Sequence, residues 1–312
     1  MPTKRSLMLA CLAVLASCER RDGVRPPPAE VSASLVPVDA GAALAVARPW
    51  PSPQAVISLA SLKLPPAFSK RRIYVDAGHG APGNSGTLSV TCEQEQVYTL
   101  RAARELARRL ALTGAFEVKL SREEGALPSY ADRVAEAEAW RADAIISLHM
   151  DARGEAVAVG VAPDGRACMR SEGAPGFAVL WSDEAKAPLA ESRHQLATSL
   201  AARLTSTGFV AYDGADYPGL YENDASVPGV FLDRHVPGRR IWFLRQPKPP
   251  VVIIETHHSL DPGEHALWQE PRTWDAFGVA VAAALVDFFE PGAPEGASAR
   301  HAAAGARGTT KP

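Results

Sequence analysis

"VDAGHGAPGNSG", residues 75–86, continues "RIY", a short β-rich run that reads as the opening strand of a domain. A glycine on each side of His79 removes two side chains, so the chain turns sharply and presents the imidazole at the strand end. A histidine displayed in this way serves as a metal ligand, a catalytic base or an ordinary loop residue. The pattern outside the loop decides which.

Strands and helices alternate on either side of it. The stretch 93–114 predicts a helix with Val97, Leu100, Ala103, Leu106 and Leu110 on one stripe and Gly114 at its end. "FEVKLS" (116–121) reads as a strand, and 128–141 as a helix with Tyr130, Val134 and Ala137 on one face. "DAIISLHMD" (143–151) is a buried strand ending on His149, and "GFAVLWS" (176–182) is another. A long helix over 184–208, an edge strand at "IWFLR" (241–245), a strand at "PVVIIE" (250–255) and a closing helix over 273–289 complete the series. This alternation predicts a three-layer αβα fold, with a mostly parallel central sheet flanked by helices on both faces. One domain, residues 69–290, accounts for it.

The ends read differently. Residues 1–18 carry Lys4 and Arg5, then an apolar run from Leu7 to Ala16 too short to span a bilayer, and close on Leu-Ala-Ser-Cys. This segment resembles a bacterial lipoprotein signal peptide, which implies cleavage before Cys18, lipid on its sulfur, and a protein exported to the periplasm or cell wall on a membrane anchor. Residues 19–68, rich in Pro and Ala, read as a tether, and 291–312 as a disordered tail. Removing Lys4 and Arg5 takes the 33 basic residues to 31 against 35 acidic ones, so the mature chain is mildly acidic and nothing in it asks for nucleic acid. Cys11 leaves with the signal. Export allows Cys92 and Cys168 to form a disulfide, and two separate buried thiols fit the sequence as well.

In open α/β sheets, sites gather beyond the carboxyl ends of the strands. Here the first strand leads to Asp76 and His79, a later one to His149 and Asp151, and another to Glu255, while Glu95 opens the helix after the His79 loop. Each alone has an ordinary reading, and a first-turn glutamate commonly serves the helix dipole. Together on one rim they match the His and Glu composition of zinc sites that do chemistry.

The runs "VDAGHG", "EQVYTLRAARELARRL", "VKLSR", "YADRVAEAEAWRADAIISLHMDA" and "PPVVIIET", in that order, resemble the zinc-dependent N-acetylmuramoyl-L-alanine amidases of the type-3 amidase family. The resemblance implies one Zn²⁺ per chain held by His79, Glu95 and His149. Glu95 rather than Glu93 keeps the family's helical phase, which leaves Glu93 as a solvated residue at the helix start. Glu255 corresponds to the catalytic glutamate, and Asp76 to an acid that supports the loop or imidazole. Arg122 and Arg133 are expected to be structural. The implied reaction is hydrolysis of the amide between N-acetylmuramic acid and the L-alanine of the stem peptide, by zinc-activated water with Glu255 as general acid and base. Peptidoglycan is then the substrate and a protein activator a further partner. The alternative is a non-catalytic or regulatory peptidoglycan-binding lipoprotein on a degenerate amidase fold.

The chain departs from the family in three places. Ala81 follows Gly80 where a glycine is usual. "THHSLD" follows Glu255, and of the adjacent His257 and His258 at most one faces the site, because neighbours on a strand point to opposite sides. Asp151 and His257 are candidates for supporting or substrate-binding roles. The stretch 209–250 is longer than a connection requires, so it either binds glycan or stem peptide or covers the zinc. His235 within it reads as a solvated loop residue.

Overall fold

The computed structural model describes residues 50–51 and 62–291. The signal segment with Cys18, most of the tether and the tail lie outside them. In chain order the elements are β1 (Arg71–Ala77), α1 (Glu95–Leu112), β2 (Phe116–Leu120), α2 (Tyr130–Ala139), β3 (Ala144–Asp151), β4 (Val157–Val161), β5 (Ala167–Arg170) and β6 (Ala178–Trp181). Then follow α3 (Leu189–Thr207), β7 (Tyr221–Asn223), β8 (Val230–Asp233), α4 (Trp242–Arg245), β9 (Val251–His258), α5 (Pro262–Leu267) and α6 (Pro271–Phe289).

A seven-stranded sheet runs in the order β2-β1-β3-β9-β6-β8-β7. The pairs β1–β2, β1–β3, β3–β9 and β6–β8 are parallel, whereas β6–β9 and β7–β8 are antiparallel. The three-layer, mostly parallel architecture is therefore the observed one. Alternation along each strand feeds two cores. Ile73, Val75, Ile146, Leu148, Val252 and Ile254 pack with α1, α3 and α6. Tyr74, Ile145, Val251 and Ile253 pack with Val134 and Ala137 of α2 and with Tyr212, Phe243 and Leu244. Because β1, β3 and β9 are parallel, their carboxyl ends share one rim.

Four expectations change. The segment "IWFLR" is not an edge strand: β7 and β8 occupy that side of the sheet, and Trp242–Arg245 turns as the short helix α4. Its ends are held from outside, by a bond from Ile241 N–H to Asp233 Oδ2 (2.7 Å) and by Arg193, which donates to the carbonyls of Arg245 and Pro247. In α1 the buried stripe runs through Glu95, Tyr98, Ala102, Leu106 and Leu110, leaving Val97 half exposed. Glu93 precedes this helix and is paired with Arg101 through both carboxylate oxygens instead of standing free in water. Trp50, inside the stretch read as tether, is 2% exposed and packs edge-on against Phe209 and Trp268. Leu62 and Phe68 also lean on the core.

Cys92 and Cys168 form a disulfide with Cα atoms 5.2 Å apart. It ties the loop between β1 and α1 to the hairpin β4–β5, which forms a sheet of its own. Leu88, Val159 and Ala162 pack around the bridge.

Candidate metal centre and its surroundings

His79 leaves β1 through Gly78 in the left-handed region, at φ 58°, a conformation that non-glycine residues adopt only when the surroundings hold it. Arg133 and Arg122 do the holding. Arg133, fully buried on α2, donates to Asp76 Oδ1 (3.1 Å), to Ala77 O (2.9 Å) and to His79 O (2.6 Å). Arg122 donates to the carbonyls of Ala77, Gly78 and Gln96. Both arginines are structural, as read from the sequence. Asp76 accepts from Arg133 and from Ser147 Oγ (2.6 Å), so it braces the loop and does not touch the imidazole. The ring of His79 is oriented by Asn84, whose Oδ1 lies 2.7 Å from Nδ1. Sequence reading missed this residue. Its place in a glycine-spaced loop five residues after the histidine is the only signal it gives.

With Nδ1 engaged, Nε2 of His79 points to Glu95 Oε2 at 3.1 Å. From the end of β3, His149 brings Nδ1 to Glu95 Oε1 at 3.0 Å. Glu95 stands between the two rings because the first turn of α1 points it along the buried stripe. Backbone N–H groups of Thr87 and Met150 also donate to it. Two glycines make room: a Cβ on Gly78 would run into the His149 ring, and one on Gly86 into Glu95 and His79. Burial alone would raise the Glu95 pKa, but hydrogen bonds from His149 and His79 overcome it and hold the carboxylate at about 2. For His79, desolvation pulls the other way, yet Glu95 and Asn84 raise its pKa above the ordinary value.

The three donor atoms lie within 4.8 Å of one another. Two imidazole nitrogens and one carboxylate oxygen, one face turned to solvent through His79, match the three-ligand pattern of open zinc centres. The cradle at Gly86, which a Cβ would fill with contacts to two of the three donors, fits the same use.

Glu255 sits beside His149 across the β3–β9 ladder. It is half-buried, and its Oε2, shielded from solvent, has no hydrogen-bond partner among the described residues. Burial, then the nearby Asp151 charge, push its pKa up to about 8. Asp151 is itself held by Arg153 Nε (2.7 Å) and by the hydroxyl of Tyr217. Tyr217 belongs to the long 209–250 segment, where it packs against Tyr212 and Tyr221. That segment therefore walls the Glu255 side of the centre.

His257 goes elsewhere. β9 advances three residues, from Glu255 to His258, while β3 advances two, from His149 to Asp151. This bulge breaks strict alternation and turns His257 into the helix-side core. There it stacks on Trp268, bonds to Thr256 Oγ1 (3.0 Å) and meets His265 at 3.3 Å. His258 is buried too, its Nδ1 accepting from the Arg153 N–H. His235 is bound to Asp233 in its own loop, away from the centre.

A cavity of about 410 Å³ opens beside His79 and His149, walled by Tyr130, Ile241, Trp242, Phe243 and Ile253.

Residues 73–287 match the model of a protein family described as N-acetylmuramoyl-L-alanine amidase. No curated protein matches the chain. Among solved structures, an N-acetylmuramoyl-L-alanine amidase from Clostridium difficile 630 shares 19% identity, covering 72% of this chain and 100% of its own, with a TM-score of 0.53. The N-acetylmuramyl-L-alanine amidase Ami1 of Mycobacterium smegmatis shares 20% over 71% of this chain and 97% of its own, with a TM-score of 0.54. Ami1 of Mycobacterium abscessus shares 18% over 71% and 99%, also at 0.54. At these identities the likeness is one of fold.

Proposed function

Since the chain belongs to the N-acetylmuramoyl-L-alanine amidase family, we propose that it cleaves the amide between N-acetylmuramic acid and L-alanine in peptidoglycan, with His79, Glu95 and His149 holding one zinc ion and Glu255 moving the proton. The observation that carries this is Glu255 itself. It is a half-buried carboxylate with an unpartnered, solvent-shielded oxygen, set one strand from His149.

A zinc ion bound there would lower the pKa of water to about 7 and polarise a carbonyl. The protein's share is orientation and proton transfer. Glu95, held ionised by its two histidines, supplies negative charge to the ligand set, and Asn84 fixes the His79 tautomer so that Nε2 faces inward. A carboxyl group tuned toward neutrality suits general acid–base work. Glu255 accepts a proton from the attacking water and returns it to the nitrogen of the departing L-alanine. Asp151, gripped by Arg153 and Tyr217, keeps negative charge close to Glu255 and so raises its affinity for the proton it takes from water. All four ligand and base positions are intact, which does not favour a non-catalytic role.

Peptidoglycan lies outside the cytoplasmic membrane, so the enzyme acts as an exported protein. No helix of the described residues is long and apolar enough to cross a membrane. Lipid on Cys18 is the proposed anchor.

The test is digestion of purified peptidoglycan by the zinc-loaded full-length chain, with released fragments identified by mass spectrometry. Stem peptides beginning with a free L-alanine amine are expected, lost with chelator, and reduced by roughly 10²–10⁴-fold in Glu255→Gln. Release of terminal amino acids, or full activity in Glu255→Gln, would refute the assignment.

A further inference from the structure

We propose that the cavity formed by Tyr130, Trp242 and Phe243 beside His79 and His149 is a carbohydrate subsite that takes the muramyl ring of the substrate, with Trp242 as its specificity-determining residue. This deepens the amidase reading and rests on it.

The argument begins with charge. The scissile amide separates two chemically different halves. The stem peptide carries free carboxylates, whereas the sugar half is an uncharged pyranose with a lactyl methyl and an N-acetyl methyl. The described lining holds no Lys or Arg to meet carboxylates. Apart from Asp76, Ser147 and the two histidines, its lining is Ala131, Ile241, Phe243 and Ile253 with the rings of Tyr130 and Trp242. The acid in the lining, Asp76, is fully buried and engaged by Arg133 and Ser147. Arg133 lies behind Tyr130, at 4.9 Å from its ring, and is directed at Asp76 and backbone carbonyls. An apolar, aromatic wall of this kind receives the C–H face of a sugar, not a polyanionic peptide.

Position agrees. Only the short lactyl ether separates the muramyl ring from the carbonyl under attack, so the ring must lie against the metal ligands. This cavity includes both histidines in its wall. Its volume of about 410 Å³ falls within the roughly 300–1,000 Å³ usual for small-molecule pockets. Trp242 is 40% exposed, so part of its ring is free to meet a ligand. The helix that carries it is fixed: Asp233 holds the backbone at Ile241, and Arg193 holds the carbonyls that follow. The aromatic face is thus presented before any ligand arrives, which lowers the ordering cost of binding.

The experiment uses the full-length, zinc-loaded chain and two probes: the peptide-free N-acetylglucosaminyl-N-acetylmuramic acid disaccharide and the free stem tripeptide. Binding of each is followed by intrinsic fluorescence and by calorimetry for wild type, Trp242→Ala, Trp242→Phe and Glu255→Gln. The disaccharide is expected to bind wild type, Trp242→Phe and Glu255→Gln alike, and to lose about tenfold in affinity in Trp242→Ala. Tripeptide affinity should not move. With a disaccharide-peptide substrate, the loss in Trp242→Ala should fall mainly on KM. Disaccharide affinity unchanged in a Trp242→Ala chain with wild-type circular dichroism overturns the subsite, as does a loss of tripeptide affinity in its place. The two failures separate cleanly. Trp242-dependent disaccharide binding without any hydrolysis by wild type sinks the amidase reading alone, whereas hydrolysis with Trp242-independent disaccharide binding sinks the subsite alone.

Discussion

Two histidine pairs lie on either side of Thr256, whose hydroxyl bonds to the carbonyl of His149 and to the imidazole of His257. His79 and His149 face a carboxylate between them, with side chains 20% and 13% exposed. His257 and His265 face each other among Trp268, Tyr98 and Thr91, and both are buried. The imidazoles are the same and the surroundings set opposite chemistry. Glu95 raises the pKa of His79, whereas burial lowers those of His257 and His265, the latter to about 4 although Glu93 lies 3.9 Å from its Nε2. The first pair, with Glu95, could hold a metal ion. The second is arranged to stay neutral and fill space.

The comparison breaks most sharply at Glu95. In Glu95→Ala, zinc content measured by mass spectrometry should fall from one ion per chain to background, and peptidoglycan hydrolysis by at least ~10³-fold. Retention of stoichiometric zinc would mean that the carboxylate is not what distinguishes the pairs. Trp268→Ala attacks the other pair. It should cost about 3–4 kcal/mol of stability by denaturant unfolding, yet leave zinc content unchanged at temperatures where the chain is folded. A loss of zinc would show that the pairs are not independent.

Acid sharpens the contrast at smaller amplitude. The folded pKa of His265 lies below its unfolded value of 6.5, at about 4. The folded state then binds fewer protons than the unfolded one, so stability is complete above pH 6.5 and is lost as pH falls toward 4. The loss should reach roughly 2 kcal/mol by about pH 4.5, and His265→Gln should flatten that slope.

Much of this was readable in the chain. The strand-end placement of His79, His149 and Glu255 follows from period and order, whereas the choice of Glu95 came from the family resemblance, whose pattern it matches in helical phase. What escaped depended on partners distant in sequence. "IWFLR" has strand composition, and only Asp233 and Arg193 make it helical. The bulge that redirects His257 leaves no mark in a run of β-forming residues. Cys92 and Cys168 gave no spacing rule, since 76 residues separate them. Asn84 was one polar residue among many in a glycine-rich loop. The aromatic wall around Trp242 needed the fold before it had anything to face.

Trp50 changes how far this enzyme travels. If Cys18 carries the lipid, the leash is counted to the residue that docks, not to the first strand. The 31 residues between Cys18 and Trp50 reach about 110 Å when fully drawn out, whereas counting to Arg71 would lengthen the radius by about two-thirds. On that anchor, the side chain wedged against Phe209 and Trp268 would confine the enzyme to the layer of wall next to its own membrane. Freeing it by Trp50→Ala would widen the zone it patrols without touching a single catalytic group.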